Sequence, residues 1–318
     1  MNTTTMLTPF AEDVMEGLTA GNKYLHSKYF YDDNGSRIFM QIMKIPEYYP
    51  TGCEYEIITG QSAEILKTVG FTNKFNIVEF GSGDGMKTKH LLKTFMDKGA
   101  DFTYIPIDIS QEALDALKVN ILAAIPNIKM QPKAGDYFDM LEDIADDKTP
   151  SLFLFMGGNI GNYLHMDSAE LLKKFNAGMK KGDMLLMGMD LRKNPRVVQN
   201  AYDDPHGITK AFNMNLLKRI NSELDANANL DQFDFYSHYN PENGEVNTYL
   251  ISLKKQQFHS NVLDTDFSFE KDELIWTELS KKFSFEEINN LAKETGFSVV
   301  KNFMDCKHYF TDTLWVKK

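Results

Sequence analysis

Two aspartates, Asp108 and Asp136, and a run of glycines carry the clearest chemical signal in this chain of 318 residues. The run, Glu79-Phe80-Gly81-Ser82-Gly83-Asp84-Gly85, lies where the apolar stretch FNIVEF (75–80) gives way to an amphipathic helix pattern. Glycines at such a turn allow positive φ and let a ligand approach the backbone without striking a β-carbon. The spacing is GxGxG, not the GxGxxG of a dinucleotide fingerprint, whose pyrophosphate needs the helix N-terminus. Taken alone, the run also fits a plain tight turn between strand and helix. Asp108 ends the next strand signal, YIPIDI, 23 residues after Gly85. A carboxylate there can accept both hydroxyls of a ribose. Asp136 and Tyr137 follow a third strand signal, where a side-chain acceptor can read an adenine amino group while apolar neighbours cover the ring. In this order the three elements point to adenosylmethionine, with NAD as the alternative that lacks the third glycine spacing.

A methyl group on a sulfonium needs only an aligned nucleophile in a water-poor site, with neither a metal nor a covalent enzyme intermediate. The rest of the sequence agrees. His26, His90, His165, His206, His238, His259 and His308 form no HxxH, HxxxH or HExxH group, and no GxSxG elbow occurs. No metal is expected. A second glycine-rich turn, Gly157-Gly158-Asn159-Ile160-Gly161-Asn162, follows the strand signal SLFLF. In a doubly wound sheet, substrates bind outside the carboxyl ends of the strands. An Asn amide there can meet an amine or a carboxylate, although Asn162 could equally cap a plain loop.

The elements that must position these residues alternate strand and helix. FNIVEF, YIPIDI, KMQPKAGDYFD, SLFLF and DMLLMGMDL read as five strands. Helical spacing recurs between them, at Leu91, Leu92 and Phe95, and at Leu114, Leu117 and Ile121 behind a Ser110 cap. Asp167 reads as the start of another helix, with Glu170 in capping-box position. Residues 193–245 are polar and hold the helical AFNMNLLKRINSEL, and the strand TYLISL follows them. FSFEEINNLAKETGF is a helix with a Ser284/Glu287 capping box, a Phe283/Ile288 staple and Gly296 as its stop. SVVKNFMD and TLWVKK supply a closing hairpin. This is an α/β pattern with a doubly wound, mostly parallel sheet of seven strands.

An apolar content of 42% is ample for a core, and 34 basic against 45 acidic residues give a net charge of −11. That charge repels phosphate backbones and anionic lipid, so neither nucleic acid nor membrane is an expected partner. Cys53 and Cys306 stand far apart without metal-ligand spacing, which fits a reducing compartment. No signal peptide and no run of about 18 apolar residues is present. A cytoplasmic monomer acting on a small molecule is expected.

The chain resembles the ergothioneine-pathway histidine N-α-methyltransferases, which convert histidine to its trimethylated betaine, hercynine. The likeness covers nearly the whole chain. It rests on KYFYDDNGSRIFMQIMKIPEYYPTGCE (28–54), IVEFGSGDGMKT, YIPIDIS, LFLFMGGNIGN, NAYDDPHGITKAFNMNLLKRIN (200–221) and WTELSKKF (276–283). The resemblance implies a Rossmann-like class I methyltransferase core at 57–192 and 283–318, and a smaller substrate-binding lobe at 1–56 and 193–282. It places cofactor contacts at Gly81, Gly83, Lys87, Asp108, Asp136 and Tyr137. It places the substrate pocket at Tyr31, Tyr48, Asn162, Tyr202, Glu278 and Ser280. Asn162 and the tyrosines are implied to hold the amino-acid backbone groups, and Glu278 with Ser280 to read the imidazole.

The residues make physical sense beside that resemblance. In an extended TELS, Glu278 and Ser280 point to the same side. A carboxylate and a hydroxyl complement the donor and acceptor of an imidazole, although a solvated pair on an edge strand is the alternative local reading. Aromatic faces suit a quaternary ammonium product, but tyrosines are also routine core residues. No side chain is an obvious strong base, and a proton route past Tyr31 or Asn162 is the working expectation. Thr248 departs from the family pattern, which has methionine there, and this leaves a tryptophan-derived amine as the runner-up substrate. A cofactor-binding module without catalysis is the competing class.

Overall fold

A computed structural model of the chain describes residues 7–135 and 148–318. Two compact units emerge: Pro50–Arg192 with Lys281–Lys318, and Met1–Tyr49 with Lys193–Ser280. The boundary expected between 56 and 57 falls inside one continuous helix, Tyr49–Val69, and the division comes at that helix's first turn instead.

The first unit is built on β1 (Phe75–Phe80), β2 (Phe102–Asp108), β3 (Lys133–Ala134), β4 (Ser151–Phe155) and β5 (Met184–Asp190). After the five strands of the other unit, β6 (Phe233–Asn240), β7 (Glu245–Ser252), β8 (Gln256–Ser260), β9 (Thr265–Phe269) and β10 (Leu274–Lys281), it is completed by β11 (Phe297–Met304) and β12 (Phe310–Lys317). The sheet order is β11-β12-β5-β4-β1-β2-β3. β1 pairs parallel with β2 and β4, and β5 pairs parallel with β4. β12 enters antiparallel between β5 and β11. This is the expected seven-stranded, Rossmann-like α/β core. All six residues of β1 and all five of β4 are buried, because a parallel strand covered on both faces has no solvent side; Asn76, Glu79 and Ser151 are taken in with the apolar residues. Phe80 stacks on Phe175 at 4.6 Å and on Phe153 at 5.9 Å, locking β1 and β4 to the helix His165–Gly178.

The other unit has a three-stranded sheet of order β10-β7-β6, with β6 (Phe233–Asn240), β7 (Glu245–Ser252) and β10 (Leu274–Lys281), and a hairpin of β8 (Gln256–Ser260) with β9 (Thr265–Phe269). The helices Pro9–Thr19, Asp33–Ile42 and Ile208–Glu223 bury Phe10, Ile42, Phe212, Leu217 and Ile220 in one cluster with Phe30, Leu250 and Ile275. Among the described residues, no helix is long and apolar enough to cross a membrane.

Several local expectations need correction. The third strand is only Lys133–Ala134, with Met130 forming an isolated bridge to Tyr104. The helix expected to begin at Asp167 spans His165–Gly178, with Leu164 at its N-cap and Asp167 inside the first turn, where the dipole still favours an acid. The helices Pro9–Thr19, Asp33–Ile42 and Tyr49–Val69 and the strands β6, β8 and β9 were not among the expected elements.

Two buried or capping groups in the first unit yield tests. Both halves of the Ser284–Glu287 capping box form: the Glu287 N–H donates to Ser284 Oγ at 3.2 Å and the Ser284 N–H to Glu287 Oε2 at 2.7 Å. Ser284→Ala should cost about 1 kcal/mol and lower Tm in a thermal melt. Glu79, 3% exposed at the end of β1, accepts hydrogen bonds from the Thr88 and Tyr104 hydroxyls. Desolvation outweighs those bonds and the nearby Lys87 charge, and its carboxyl is pushed up to about 7 from 4.5. Because the folded protein holds this proton more tightly than the unfolded chain, the contribution is complete below about pH 4.5 and is lost as pH rises through about 7. Ligand-free Glu79→Gln should therefore lose less Tm than the wild type between about pH 5 and pH 8. Equal losses would refute this account of Glu79.

Candidate active site

The glycine turn after β1 takes positive φ at Gly81 (67°), Gly83 (52°) and Gly85 (69°). Gly85 is needed for packing, since a Cβ there would lie 2.5 Å from Leu117 Cδ1, whereas Gly83 faces open space to at least 4 Å. One glycine thus lets the turn rest against the helix Gln111–Ala124, and another leaves its backbone open to a ligand. Asp108, at the end of β2 and beside this turn through the β1–β2 pairing, is half-buried. Its Oδ1 accepts the Ser110 N–H at 3.0 Å. The other oxygen has no protein donor among the described residues and can take a ribose hydroxyl. These features fit the adenosine part of adenosylmethionine: an open backbone cradle and an available carboxylate at the carboxyl ends of adjacent parallel strands. Lys87 follows the turn and precedes the helix Thr88–Asp97. Asp136 and Tyr137 lie outside the described residues.

The second glycine turn follows β4, at the same sheet edge. Gly157 and Gly158 have φ of 83° and 74°. Asn159 Nδ2 donates to the Met156 carbonyl at 3.1 Å, and the Gly161 N–H to the Gly158 carbonyl at 3.0 Å, folding Asn159–Asn162 into a short 3-10 turn. Asn162 is exposed at its end. The turn could therefore present an amide without first having to become ordered.

In the other unit the structure brings five of the expected residues into mutual influence. TELS is extended within β10, so Glu278 and Ser280 share a side. The hydroxyls of Ser280 and Tyr202 are 2.8 Å apart, and both residues are buried. Tyr202 and Tyr48 meet edge to face at 6.2 Å. Tyr31 meets Phe39 at 5.4 Å and Phe212 at 5.6 Å. Of Tyr31, 49% is open to solvent, and the rest packs against these rings. Desolvation, and then the negative charge of Glu278 and the neighbouring Tyr202, push the phenol well above its ordinary range, so it stays protonated at neutral pH. Thr248 is fully buried and its hydroxyl is engaged, 2.9 Å from Thr277 Oγ1 and 3.4 Å from Asn213 Oδ1.

Sequence reasoning passed over Glu54, Asp312 and Lys193. Glu54 accepts the Gly157 N–H at 2.6 Å and pairs with Lys87. Its signal was available: in the helix Tyr49–Val69 it falls in phase with Ile57, Ile58 and Ile65, a core stripe where an acid is out of place. Lys193 Nζ donates to the Tyr49 hydroxyl at 2.7 Å and lies 4.1 Å from the centre of that ring. Ligand atoms of Glu56, Asp305 and Cys306 come within 4.8 Å of one another. The carboxylates there serve a turn, however. Asp305 accepts the Lys307, Tyr309 and Phe310 N–H groups, and Glu56 accepts that of Cys306.

Comparison with known proteins places the chain in a family. A histidine N-α-methyltransferase of Mycolicibacterium smegmatis is 35% identical over 94% of this chain and 90% of its own length. One from Mycobacterium tuberculosis is 35% identical over 92% and 90%. An L-tryptophan methyltransferase of Psilocybe serbica is 26% identical over 92% of this chain and 89% of its own. The model of the histidine-specific, S-adenosylmethionine-dependent methyltransferases matches residues 10–317. With a seven-stranded core, an open glycine turn and a ribose-ready carboxylate already in place, that match over nearly the full length makes this chain a member of the histidine-specific, S-adenosylmethionine-dependent methyltransferase family.

Proposed function

We propose that the chain methylates the α-amino nitrogen of L-histidine, carrying it through to the trimethylated betaine hercynine as a step toward ergothioneine. The observation that carries the choice of substrate is the Ser280–Tyr202 hydroxyl contact at 2.8 Å, one strand step from Glu278. A carboxylate and a hydroxyl on one side of a strand complement both nitrogens of an imidazole, whereas an indole has one donor and no acceptor. Similarity to the mycobacterial relatives supports the same reading.

Bound at the glycine turn, adenosylmethionine supplies an electrophilic methyl group, leaving as adenosylhomocysteine. The residues bind and orient. Glu278 and Ser280 take the ring, and Asn162, Tyr48 and Tyr202 take the amino and carboxylate groups. Each transfer forms a C–N bond at the amine as the C–S bond of the methyl breaks, so the amine must release a proton before each round. Tyr31 keeps its own proton and serves as a relay rather than a base, since its phenol is held above the ordinary range. The aromatic faces of Tyr31, Tyr48 and Tyr202 suit the growing ammonium cation, at roughly 0.5–2 kcal/mol per contact. The acidic balance and the two reduced thiols, Cys53 and Cys306, suit a cytoplasmic monomer acting on a small molecule.

The direct test is mass spectrometry of purified protein incubated with adenosylmethionine and each of the twenty amino acids. Histidine gaining three methyl groups is the expected result. Methylation of tryptophan instead would overturn the reading of Glu278 and Ser280. No product at all, with thermal protection by adenosylhomocysteine, would leave a binding module. Glu278→Ala should strand buried polar groups at a cost on the order of 1–3 kcal/mol, lowering kcat/KM for histidine roughly 5- to 150-fold. An unchanged kcat/KM would remove Glu278 from the site.

A further inference from the structure

Glu54 is 1% exposed, yet it is charged and lies deep in the first unit. Its two oxygens do different work. Oε1 accepts the Gly157 N–H at 2.6 Å, and Oε2 pairs with the Lys87 ammonium. Lys87 keeps 22% of its side-chain exposure, against 1% for the carboxylate that holds it. Gly157 opens the turn that ends in Asn162, and Lys87 closes the turn that begins at Gly81.

Room for this carboxylate comes from a glycine in an unexpected place. Gly188 sits in the middle of β5, where a glycine weakens a strand. A Cβ there would stand 2.3 Å from Glu54 Oε1, 3.1 Å from Gly157 N and 3.2 Å from Gly158 N. The strand has left out a side chain where the Glu54 carboxylate enters. Directly opposite Gly188 in the β5–β12 register lies Asp312, also buried, and neither of its carboxyl oxygens receives a hydrogen bond from a donor among the described residues. Desolvation first, and then the Glu54 charge, raise the Asp312 carboxyl well above its ordinary range, against the pull of Lys87. Glu54 is the first charge facing Lys87, with Asp312 and Glu79 behind it.

We propose that Glu54 is a positioning residue for methyl transfer: through Lys87 and the Gly157 amide, its carboxylate holds the two glycine turns in one register. The proposal rests on the reading of Lys87 as a cofactor contact. A carboxylate that served only to stabilise the fold would have no need to reach both turns, nor of a glycine opposite to admit it. Its loss should shift the cofactor's seat relative to the Asn162 turn, and misplacement of that kind costs on the order of 10- to 100-fold in rate.

The test compares wild type, Glu54→Gln, Lys87→Met and the double variant by calorimetric titration with adenosylhomocysteine, alongside kcat and KM for histidine. Glu54→Gln keeps shape and an acceptor for Gly157 but loses the ion pair. It is expected to bind adenosylhomocysteine roughly tenfold more weakly and to lose kcat, with KM for histidine little changed. Because Glu54 acts through Lys87, the double variant should be no worse than Lys87→Met alone. Should Glu54→Gln fail to fold, the double variant leaves no unpaired lysine charge and provides the same comparison. Wild-type affinity and kcat in folded Glu54→Gln, or in the double variant, would overturn the proposal, as would additive losses. A wild type that does not bind adenosylhomocysteine would instead overturn the functional reading itself, and this proposal with it.

Discussion

Parallel pairing of β1 with β4 is the constraint on which the first unit depends. Asn76 to Glu79 lie in register with Ser151 to Leu154, and both strands run the same way. Their carboxyl ends therefore finish at one edge of the sheet, and so do the two glycine turns that follow them. β2 is parallel on the other side of β1, so Asp108 arrives at that edge as well. Buried on both faces, these strands can carry little functional chemistry along their length. The chemistry is displaced into the turns, where backbone and short polar side chains meet solvent.

Buried charge is concentrated beneath those turns. Glu79 is held by two hydroxyls, Glu54 by an amide and an ammonium, and Asp312 faces Glu54 without a donor. Burying carboxyl groups beneath a sheet edge is unfavourable unless they are paired or protonated. The structure uses both remedies, pairing Glu54 with Lys87 and raising the carboxyls of Glu79 and Asp312. The result is a set of buried polar contacts beneath the two glycine turns, one of which reaches the Gly157 amide.

The other unit solves a different problem. Its tyrosines are fixed by rings and hydroxyls rather than by strand ends: Tyr31 against Phe39 and Phe212, Tyr48 against Tyr202, and Tyr202 against Ser280. Phe212 belongs to the helix that also buries Leu217 and Ile220, so the aromatic cluster is an extension of that unit's core. Thr248 and Thr277 share Asn213 between them, a fully buried polar knot that ties β7 and β10 to the same helix.

The sequence by itself determined the elements whose signal is local. Apolar runs marked β1, β2, β4 and β5, Ser110 and Ser284 marked helix starts, and the glycine spacing marked the tight turn after β1, because burial on both faces, capping and tight turns each impose a residue type at a fixed offset. Family motifs supplied the separate residues Tyr31, Tyr202, Glu278 and Ser280. Only the tertiary structure decided that the Ser280 hydroxyl meets Tyr202, that Thr248 is engaged by Thr277 and Asn213, and that Glu54 fits into the space at Gly188. Those contacts join residues 29 to 134 positions apart, and no periodicity encodes them. They exist because the sheet order and the packing of each unit bring distant segments to one place, where excluded volume and buried polar pairing select what can stand together.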